Sequence, residues 1–301
     1  MRTALLFSIA LTIAVACKPE FAERESLLTG TRVLAVRAEP AEVKPEESAT
    51  YEVIVATPNG QIATSTSWAF CATPKLLTEN GAVSPACLRD GVRPIAEGPP
   101  KVATTMPNDA CFLFGPEVSS AELRPRDADV TGGYYQPIRV TVFAASETEV
   151  AWGMHRVRCK LSRAGADVAS DFENRYVSNT NPTLLPLEAF IAGAPVALDA
   201  IPRGARVRLR AAWTPASAER YPTFDVISQT IVDRRESMRV SWFTSAGSFA
   251  NDRTGRTEEE PESFTENEWT APDDARSSHL FVVLRDARGG VAWSTHVLET
   301  R

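Results

Sequence analysis

Residues 150–155 read Val-Ala-Trp-Gly-Met-His, and residues 291–296 repeat the pattern as Val-Ala-Trp-Ser-Thr-His. Upstream of each copy, the Ser-Trp pair at residues 67–68 recurs at residues 241–242. Each half of the chain therefore carries one early tryptophan and ends on a second segment that also contains tryptophan. This imperfect repeat predicts two related domains in tandem.

Around the repeats, apolar and polar residues alternate with a period of two. Residues 206–211, for example, read Arg-Val-Arg-Leu-Arg-Ala. Such runs, punctuated by Gly, Pro, Asn and Asp, indicate strands with one buried and one solvated face. The main helical spacing is the short series Val168, Phe172 and Tyr176. The pattern predicts an all-β fold with one short helix between two domains.

We place the domains at residues 30–162 and 181–301, joined by a linker at residues 163–180. The chain has 301 residues, which at roughly 150 residues per domain agrees with two domains. The formal net charge is −6, and the sequence pI is about 5.3. A nucleic-acid partner is not expected, because such binding depends on basic side chains that displace counterions from the phosphates, and this chain is acidic overall.

The two halves resemble immunoglobulin-like domains. Trp68 and Trp242 lie mid-strand early in each half, as does the tryptophan on the third strand of that fold. Residues 129–135 precede the penultimate strand of the first half, where the family often places a tyrosine corner. The resemblance implies two antiparallel β-sandwiches, although the usual cysteine pair between the sheets is absent.

The N-terminus is typical of an export signal. Residues 1–16 combine Arg2 with a short apolar run and end in Ala-Val-Ala before Cys17. Residues 14–17 (Ala-Val-Ala-Cys) resemble the bacterial lipobox, and this resemblance implies a lipid on Cys17. Ala-Val-Ala is also a suitable cleavage site for an ordinary signal peptidase. We expect residues 17–29 to form a flexible tether and the lipid to hold the protein at the cell envelope, in the outer membrane.

Cysteine parity supports the lipid. Without Cys17 an even set remains, which suits an oxidising compartment: Cys71, Cys87, Cys111 and Cys159. Four cysteines allow three pairings, of which we favour Cys71–Cys87 and Cys111–Cys159. Trp68 and Trp152 are 84 residues apart, but Trp242 and Trp293 only 51, so we expect a disulfide-stapled insertion at about residues 71–111 of the first domain.

Three groups of residues are candidate binding sites. Asp127, Asp129 and Thr131 match part of a calcium loop, but Ile138 replaces the expected glutamate, which favours a polar turn before the next strand. Arg206, Arg208 and Arg210 line one strand face, with Arg234, Arg235 and Arg239 expected nearby, and form a candidate patch for an anionic glycan. The favoured alternative is an ordinary solvated sheet face in a chain that uses arginine in place of lysine. Trp213 and Trp269 are either aromatic platforms for sugars or core residues. We expect the acidic residues 258–268 to form a solvated loop.

No strong catalytic motif occurs, and the three histidines (His155, His279 and His296) all fall on predicted strands near a sheet surface. The leading interpretation is a lipid-anchored envelope protein without catalysis or cofactor, which acts as a binding or structural display module. It resembles uncharacterised bacterial lipoproteins with all-β ectodomains. Alternatives are a carbohydrate-binding accessory protein, a subunit of an envelope or secretion assembly, and a hydrolase using Asp127 and Asp129 with a distant glutamate. The expected partners are the membrane and an envelope protein or glycan.

Overall fold

A computed structural model describes residues 24–117, 127–144 and 147–301. The predicted signal segment 1–16 and Cys17 lie outside the described residues. The all-β prediction is confirmed, because most of the regular secondary structure in the described residues is antiparallel strand. The described α-helices are α1 (Ala110–Phe114) and α2 (Ala166–Arg175), and short 3₁₀ turns cover Pro85–Leu88 and Pro215–Ser217.

The first sandwich packs two sheets around Tyr51 and Trp68, both of which are fully buried. Its first sheet contains β1 (Arg32–Glu39), β3 (Ser48–Thr57), β4 (Gly60–Ile62) and β7 (Lys101–Thr105). Its second sheet runs in the order β2 (Glu42–Val43), β9 (Thr148–Val157), β8 (Tyr134–Phe143), β5 (Ser65–Cys71) and β6 (Val92–Glu97). Only β2 pairs in parallel here, on β9.

The second sandwich packs two sheets around Trp213, Trp242 and Trp269. One sheet runs in the order β11 (Ala194–Pro195), β10 (Glu188–Ile191), β12 (Arg206–Ala212), β18 (Phe264–Thr270) and β16 (Ser248–Phe249). The other runs in the order β17 (Arg253–Arg256), β15 (Met238–Thr244), β19 (Arg276–Asp286) and β20 (Val291–Thr300).

The sequence repeat corresponds to a structural repeat. Strands β5, β8 and β9 neighbour one another in the first domain as β15, β19 and β20 do in the second. Trp68 on β5 and Trp242 on β15 are both 0% exposed at equivalent positions. The chain thus forms two tandem immunoglobulin-like antiparallel sandwiches.

The two sandwiches also pack on each other. Strand β3 directs Tyr51 and Val53 into its own domain and Ile54 to the opposite face, because successive side chains of a strand alternate. On β19, Val282 faces its own core and Phe281 faces the first domain. The buried cluster between the domains contains Leu28, Leu34, Ala35, Ile54, Ala56, Phe281, Val283 and Val291. The four sheets therefore form one continuous stack.

The disulfides of the structure join Cys71 to Cys87 and Cys111 to Cys159, the two pairs favoured from the sequence. The expected irregular insertion at residues 71–111 is corrected, because β6 and β7 fall inside it and belong to the two sheets of the sandwich. Only the segments between these strands are additional. The first disulfide closes the loop after β5, and the second ties α1 to the residues that follow β9.

A β-hairpin in the second domain was not predicted. Strands β13 (Arg220–Asp225) and β14 (Thr230–Arg235) form a separate two-stranded sheet between β12 and β15. The hairpin packs against α2, and the Arg234 guanidinium donates to the Val130 carbonyl of the first domain. It therefore contacts both the linker and the first sandwich.

The prediction of a flexible tether at residues 17–29 is wrong for the C-terminal end of that segment. Leu28 N donates to Thr244 O, and Thr244 N donates to Ser26 O, so this stretch pairs with the end of β15. Leu28 is 2% exposed and belongs to the cluster between the domains. Its burial and these backbone hydrogen bonds fix residues 26–28 on the second sandwich.

Candidate functional site

The arginine stripe on β12 faces glutamates of the neighbouring strands. The ion pairs are Arg206–Glu268 at 3.9 Å, Arg208–Glu266 at 3.6 Å, Arg210–Glu266 at 2.7 Å and Arg210–Glu188 at 3.6 Å. These glutamates lie on strands, so the expected solvated loop at residues 258–268 is also corrected for its second half. Because each arginine lies within 4 Å of a glutamate carboxylate, the stripe is a charge ladder rather than a free anion patch.

The two tryptophans proposed as sugar platforms are core residues. Trp213 is 1% exposed and Trp269 is 0% exposed. The Trp269 indole N–H donates to the Ala246 carbonyl at 3.2 Å, which satisfies its polar group inside the core. Neither ring is available to stack on a sugar.

The candidate calcium loop is built as a hydrogen-bonded turn. Asp129 Oδ1 accepts from Thr131 N at 2.8 Å, from Thr131 Oγ1 at 2.5 Å and from Gly133 N at 3.0 Å. Asp127 instead pairs with Arg163. Among the described residues no group of three metal-ligating side chains converges, here or elsewhere. The arrangement supports the polar turn.

The other arginines expected beside the stripe line a separate cleft. It has a volume of about 570 Å³ and opens between the β13–β14 hairpin and strands β15 and β17. Its arginines are Arg234, Arg235, Arg239, Arg253 and Arg256, and its acidic residues are Glu258, Glu259 and Glu260. We call this feature the arginine cleft. Arg253 and Arg256 were not singled out from the sequence, because only the pairing of β17 with β15 brings them to the same place.

A buried ion network lies in the joint between the sandwiches. Arg288, in the turn between β19 and β20, is fully buried and donates to Glu236 at 2.6 Å, to Glu219, and to the Val177 carbonyl at 2.7 Å. Tyr135 of the first domain donates to the Arg288 carbonyl at 3.4 Å. Removing one member of such a network leaves an uncompensated charge out of water, so we assign it to holding the domains together.

A second arginine extends this network into the first domain. Arg156 on β9 donates to Thr131 Oγ1 at 2.7 Å and lies 3.5 Å from Glu42. Glu42 also accepts from the Tyr176 hydroxyl at 2.5 Å and from Asn179 N at 2.8 Å. Tyr176 and Asn179 belong to the predicted linker, of which α2 is the short helix. The end of that linker is therefore a fixed part of the joint.

The network shifts the pKa of two carboxyl groups. Burial and the nearby Asp286 carboxylate raise the pKa of Glu236 to about 8, and Arg288 only partly offsets this. Burial also raises the pKa of Asp286, against the hydrogen bonds it accepts from Gly290 N and Arg288 N. Neither carboxyl group lines the clefts found in the described residues. Their protons are thus coupled to the packing of the joint.

His155 is buried in the first core rather than lying near a sheet surface. Its Nε2 donates to the Pro40 carbonyl at 3.1 Å, which leaves Nδ1 to accept from the Tyr51 hydroxyl at 2.8 Å. Burial lowers the pKa of His155 to about 4, so the ring is neutral at pH 7. Its counterpart in the repeat, His296, is only partly buried and bonds to Ser294. The repeat thus conserves the strand position but not the chemical environment.

The sequence matches no protein-family model and no curated protein. Among solved structures, the chain is similar to Escherichia coli alpha-2-macroglobulin activated by porcine elastase (10% identity, TM-score 0.24), covering 93% of this chain and 22% of that one. It is also similar to a chimeric titin Z1Z2 (12% identity, TM-score 0.18), covering 91% of this chain and 98% of that one. A third similar structure is the Yersinia pseudotuberculosis adhesin InvE (8% identity, TM-score 0.24), covering 89% of this chain and 58% of that one. These likenesses are distant, and the fold assignment rests on the strand pairing described above.

Within the part of the chain that the structure describes, no helix has both the length and the apolar character needed to cross a bilayer.

Proposed function

We propose that this protein is a lipid-anchored, non-catalytic binding or structural module of the cell envelope. The observation that carries the proposal is the joint between the sandwiches. An apolar cluster and the Arg288 network fix the two domains to each other, so they form one rigid body. Rigid tandem sandwiches suit the presentation of a surface at a fixed distance from an anchor better than they suit domain closure on a substrate.

The segment that follows the proposed lipid anchor would reach the second sandwich at one end. Residues 26–28 pair with Thr244 at the end of β15, whereas the β13–β14 hairpin joins β15 at its beginning. A seven-residue strand is roughly 24 Å long. From Cys17 to Arg24, seven residues reach about 25 Å when fully extended. A lipid on Cys17 would therefore hold the Thr244 end close to the membrane and the base of the hairpin farther away.

The tip of this hairpin carries an exposed apolar side chain. Ile227 is 97% exposed, and its neighbour Val226 is 44% exposed. Buried apolar anchors at the centre of an interface contribute much of the binding energy in protein complexes. We therefore assign partner contact to the hairpin tip. This contact would serve the protein either as a display module or as a subunit of an envelope assembly.

The buried titratable groups support a role without catalysis. His155 is held between Tyr51 and Pro40 inside the first core, and Glu236 is held by Arg288 inside the joint. A general acid or base has to reach a substrate. These groups stabilise the fold instead.

The anchor is tested by mass spectrometry of the N-terminal peptide after expression in a double-membrane bacterium. We expect cleavage before Cys17, a diacylglyceryl adduct on its sulfur, and recovery of the protein with membranes. Cys17→Ser is the control and should release the protein into the soluble fraction. An unmodified thiol at Cys17 in the wild type would refute the anchor.

Partner contact is tested with a photo-crosslinking residue at Ile227. The matched control is the same residue at Asp199, an exposed loop position on another part of the second domain. We expect one discrete crosslinked band from Ile227 in intact cells and none from Asp199. Equal, diffuse labelling from both positions would count against partner binding by the hairpin.

A further inference from the structure

Three arginines meet on the face of the second domain that is turned away from its own core. Arg239 on β15 lies directly opposite Arg285 on β19, and Arg253 on β17 lies opposite Ser241, two residues along β15 from Arg239. Side chains at such directly opposite and diagonal positions come within reach of each other on one face of a sheet. Like charges placed this way repel, so the arrangement is costly unless an anion compensates it.

The chain supplies only part of this compensation. Glu25 pairs with Arg253 at 2.6 Å, Glu258 with Arg234 at 2.9 Å, and Glu260 with Arg256 at 3.6 Å. Among the described residues, however, no carboxylate pairs with Arg235, Arg239 or Arg285. Arg235 donates to the Glu260 carbonyl, and Arg285 donates to the Leu34 carbonyl. Arg235 and Arg239 therefore line the cleft without a carboxylate partner, and Arg285 lies next to Arg239 on the neighbouring strand.

The electrostatics of Arg285 reflect this excess of positive charge. Burial, together with the charges of Arg253 and Arg239, lowers the pKa of Arg285 to about 10. The Arg285 guanidinium donates to Ser241 Oγ at 3.5 Å and to the Leu34 carbonyl at 2.7 Å, and neither acceptor carries a charge. The repulsion is thus built into the sheet rather than being a matter of one mobile side chain.

The shape of the arginine cleft suits a small polar ligand. Its volume of about 570 Å³ lies within the usual range for ligand sites. Arg239 is exposed and donates to no described group, so its forked donors are free for a tetrahedral anion. Glu259, also exposed, adds acceptor oxygens in the same wall, and these oxygens suit hydroxyl donors. Guanidinium donors beside carboxylate acceptors match a ligand that carries both an anion and hydroxyl groups.

We propose that the arginine cleft binds a sugar phosphate, with Arg239 holding the phosphate and Glu259 accepting from the sugar hydroxyls. This inference goes beyond the proposed function, because the cleft is formed mainly by strands and loops of the second sandwich and needs neither the anchor nor the hairpin tip. It also replaces the β12 stripe as the anionic-ligand site, because the arginines of that stripe are paired with glutamates.

The test is isothermal titration of the full chain, in detergent, with glucose 1-phosphate, inorganic phosphate and glucose. We expect glucose 1-phosphate to bind at least tenfold more tightly than inorganic phosphate and glucose to give no measurable heat. Equal affinities for glucose 1-phosphate and inorganic phosphate would overturn the assignment of a sugar phosphate. An absence of binding by both would overturn the site.

Substitutions locate the site. Arg239→Gln should weaken glucose 1-phosphate at least tenfold, and Glu259→Gln should reduce its advantage over inorganic phosphate. Because Arg239→Gln also relieves repulsion on Arg285, the melting temperature should stay level or rise while binding falls. Arg206→Gln, at another exposed arginine that belongs to the β12 ladder, is the matched control and should bind as the wild type does. An equal loss of affinity in Arg206→Gln and Arg239→Gln would refute the placement.

Discussion

Replacing His155 with glutamine should remove one component of the pH dependence of folding stability. In the folded protein the imidazole is buried and accepts from the Tyr51 hydroxyl, and its pKa is lowered to about 4 from 6.5. The unfolded chain therefore binds a proton on His155 between pH 6.5 and pH 4, where the folded protein does not. A lowered folded pKa gives stability that is present above pH 6.5 and is lost as the pH falls toward 4.

The magnitude follows from the size of this shift. A difference of 2.5 units corresponds to about 3 kcal/mol of folding free energy when fully developed, of which about 2 kcal/mol is lost between pH 7.5 and pH 5. Other groups also titrate in this range, so the prediction concerns the difference between the wild type and His155→Gln. The wild type should lose about 2 kcal/mol more than the variant over this interval.

The assay is urea denaturation of both proteins at pH 7.5 and pH 5.0, followed by circular dichroism. Tyr51→Phe is a useful companion variant, because it removes the hydrogen bond but keeps the buried imidazole. It should lower stability by about 1 kcal/mol at both pH values and retain the pH-dependent difference from His155→Gln. Parallel pH dependence in the wild type and His155→Gln would refute the reasoning, as would an imidazole pKa near 6.5 measured by NMR in the folded protein.

Three further changes test the joint between the domains. Glu236→Gln should differ from the wild type with the opposite sign, because a raised folded pKa gives stability at low pH that is lost as the pH rises. Urea titrations at pH 5 and pH 7.5 should show the wild type losing stability relative to the variant. Phe281 is 1% exposed between the sheets, so Phe281→Ala should lower the free energy of unfolding, measured in urea, by about 3–5 kcal/mol. Val297→Ala, on the exposed face of β20, should change it by less than about 0.5 kcal/mol. Similar losses in both variants would contradict the stacking of the sheets. Leu28→Ala should cost about 2–4 kcal/mol and speed hydrogen exchange at the Thr244 amide, and unchanged exchange there would contradict the docking of the N-terminal segment.

Much of the fold could be predicted because strand alternation is a local property. The period-two runs located most long strands, and the first tryptophan of each repeat, Trp68 or Trp242, is buried at an equivalent core position. The packing between the sandwiches was missed, although the sequence carried a signal for it. Residues 53–56 (Val-Ile-Val-Ala) and 280–284 (Leu-Phe-Val-Val-Leu) are continuous apolar runs, which indicate strands buried on both faces.

The candidate site was less predictable, because it depends on strand register. The sequence shows arginines at every second position of β12, but the register with β18 places Glu268 opposite Arg208 and Glu266 opposite Arg210. Arg239, Arg253 and Arg285 are far apart in sequence and meet only through the order β17–β15–β19. A charge pattern on one strand therefore predicts which residues are solvated, but not whether they are paired.

The sequence by itself determined which residues of each strand share a face and that the chain consists of two related sandwiches, because side-chain alternation and the repeat are written in neighbouring residues. Only the tertiary structure decided that the sandwiches stack on each other, that Arg288 bridges the joint, and which arginines keep no carboxylate partner. Those outcomes depend on contacts between residues that are distant in sequence. The way in which whole sheets pack against each other decides which of these residues are buried and which charges are paired.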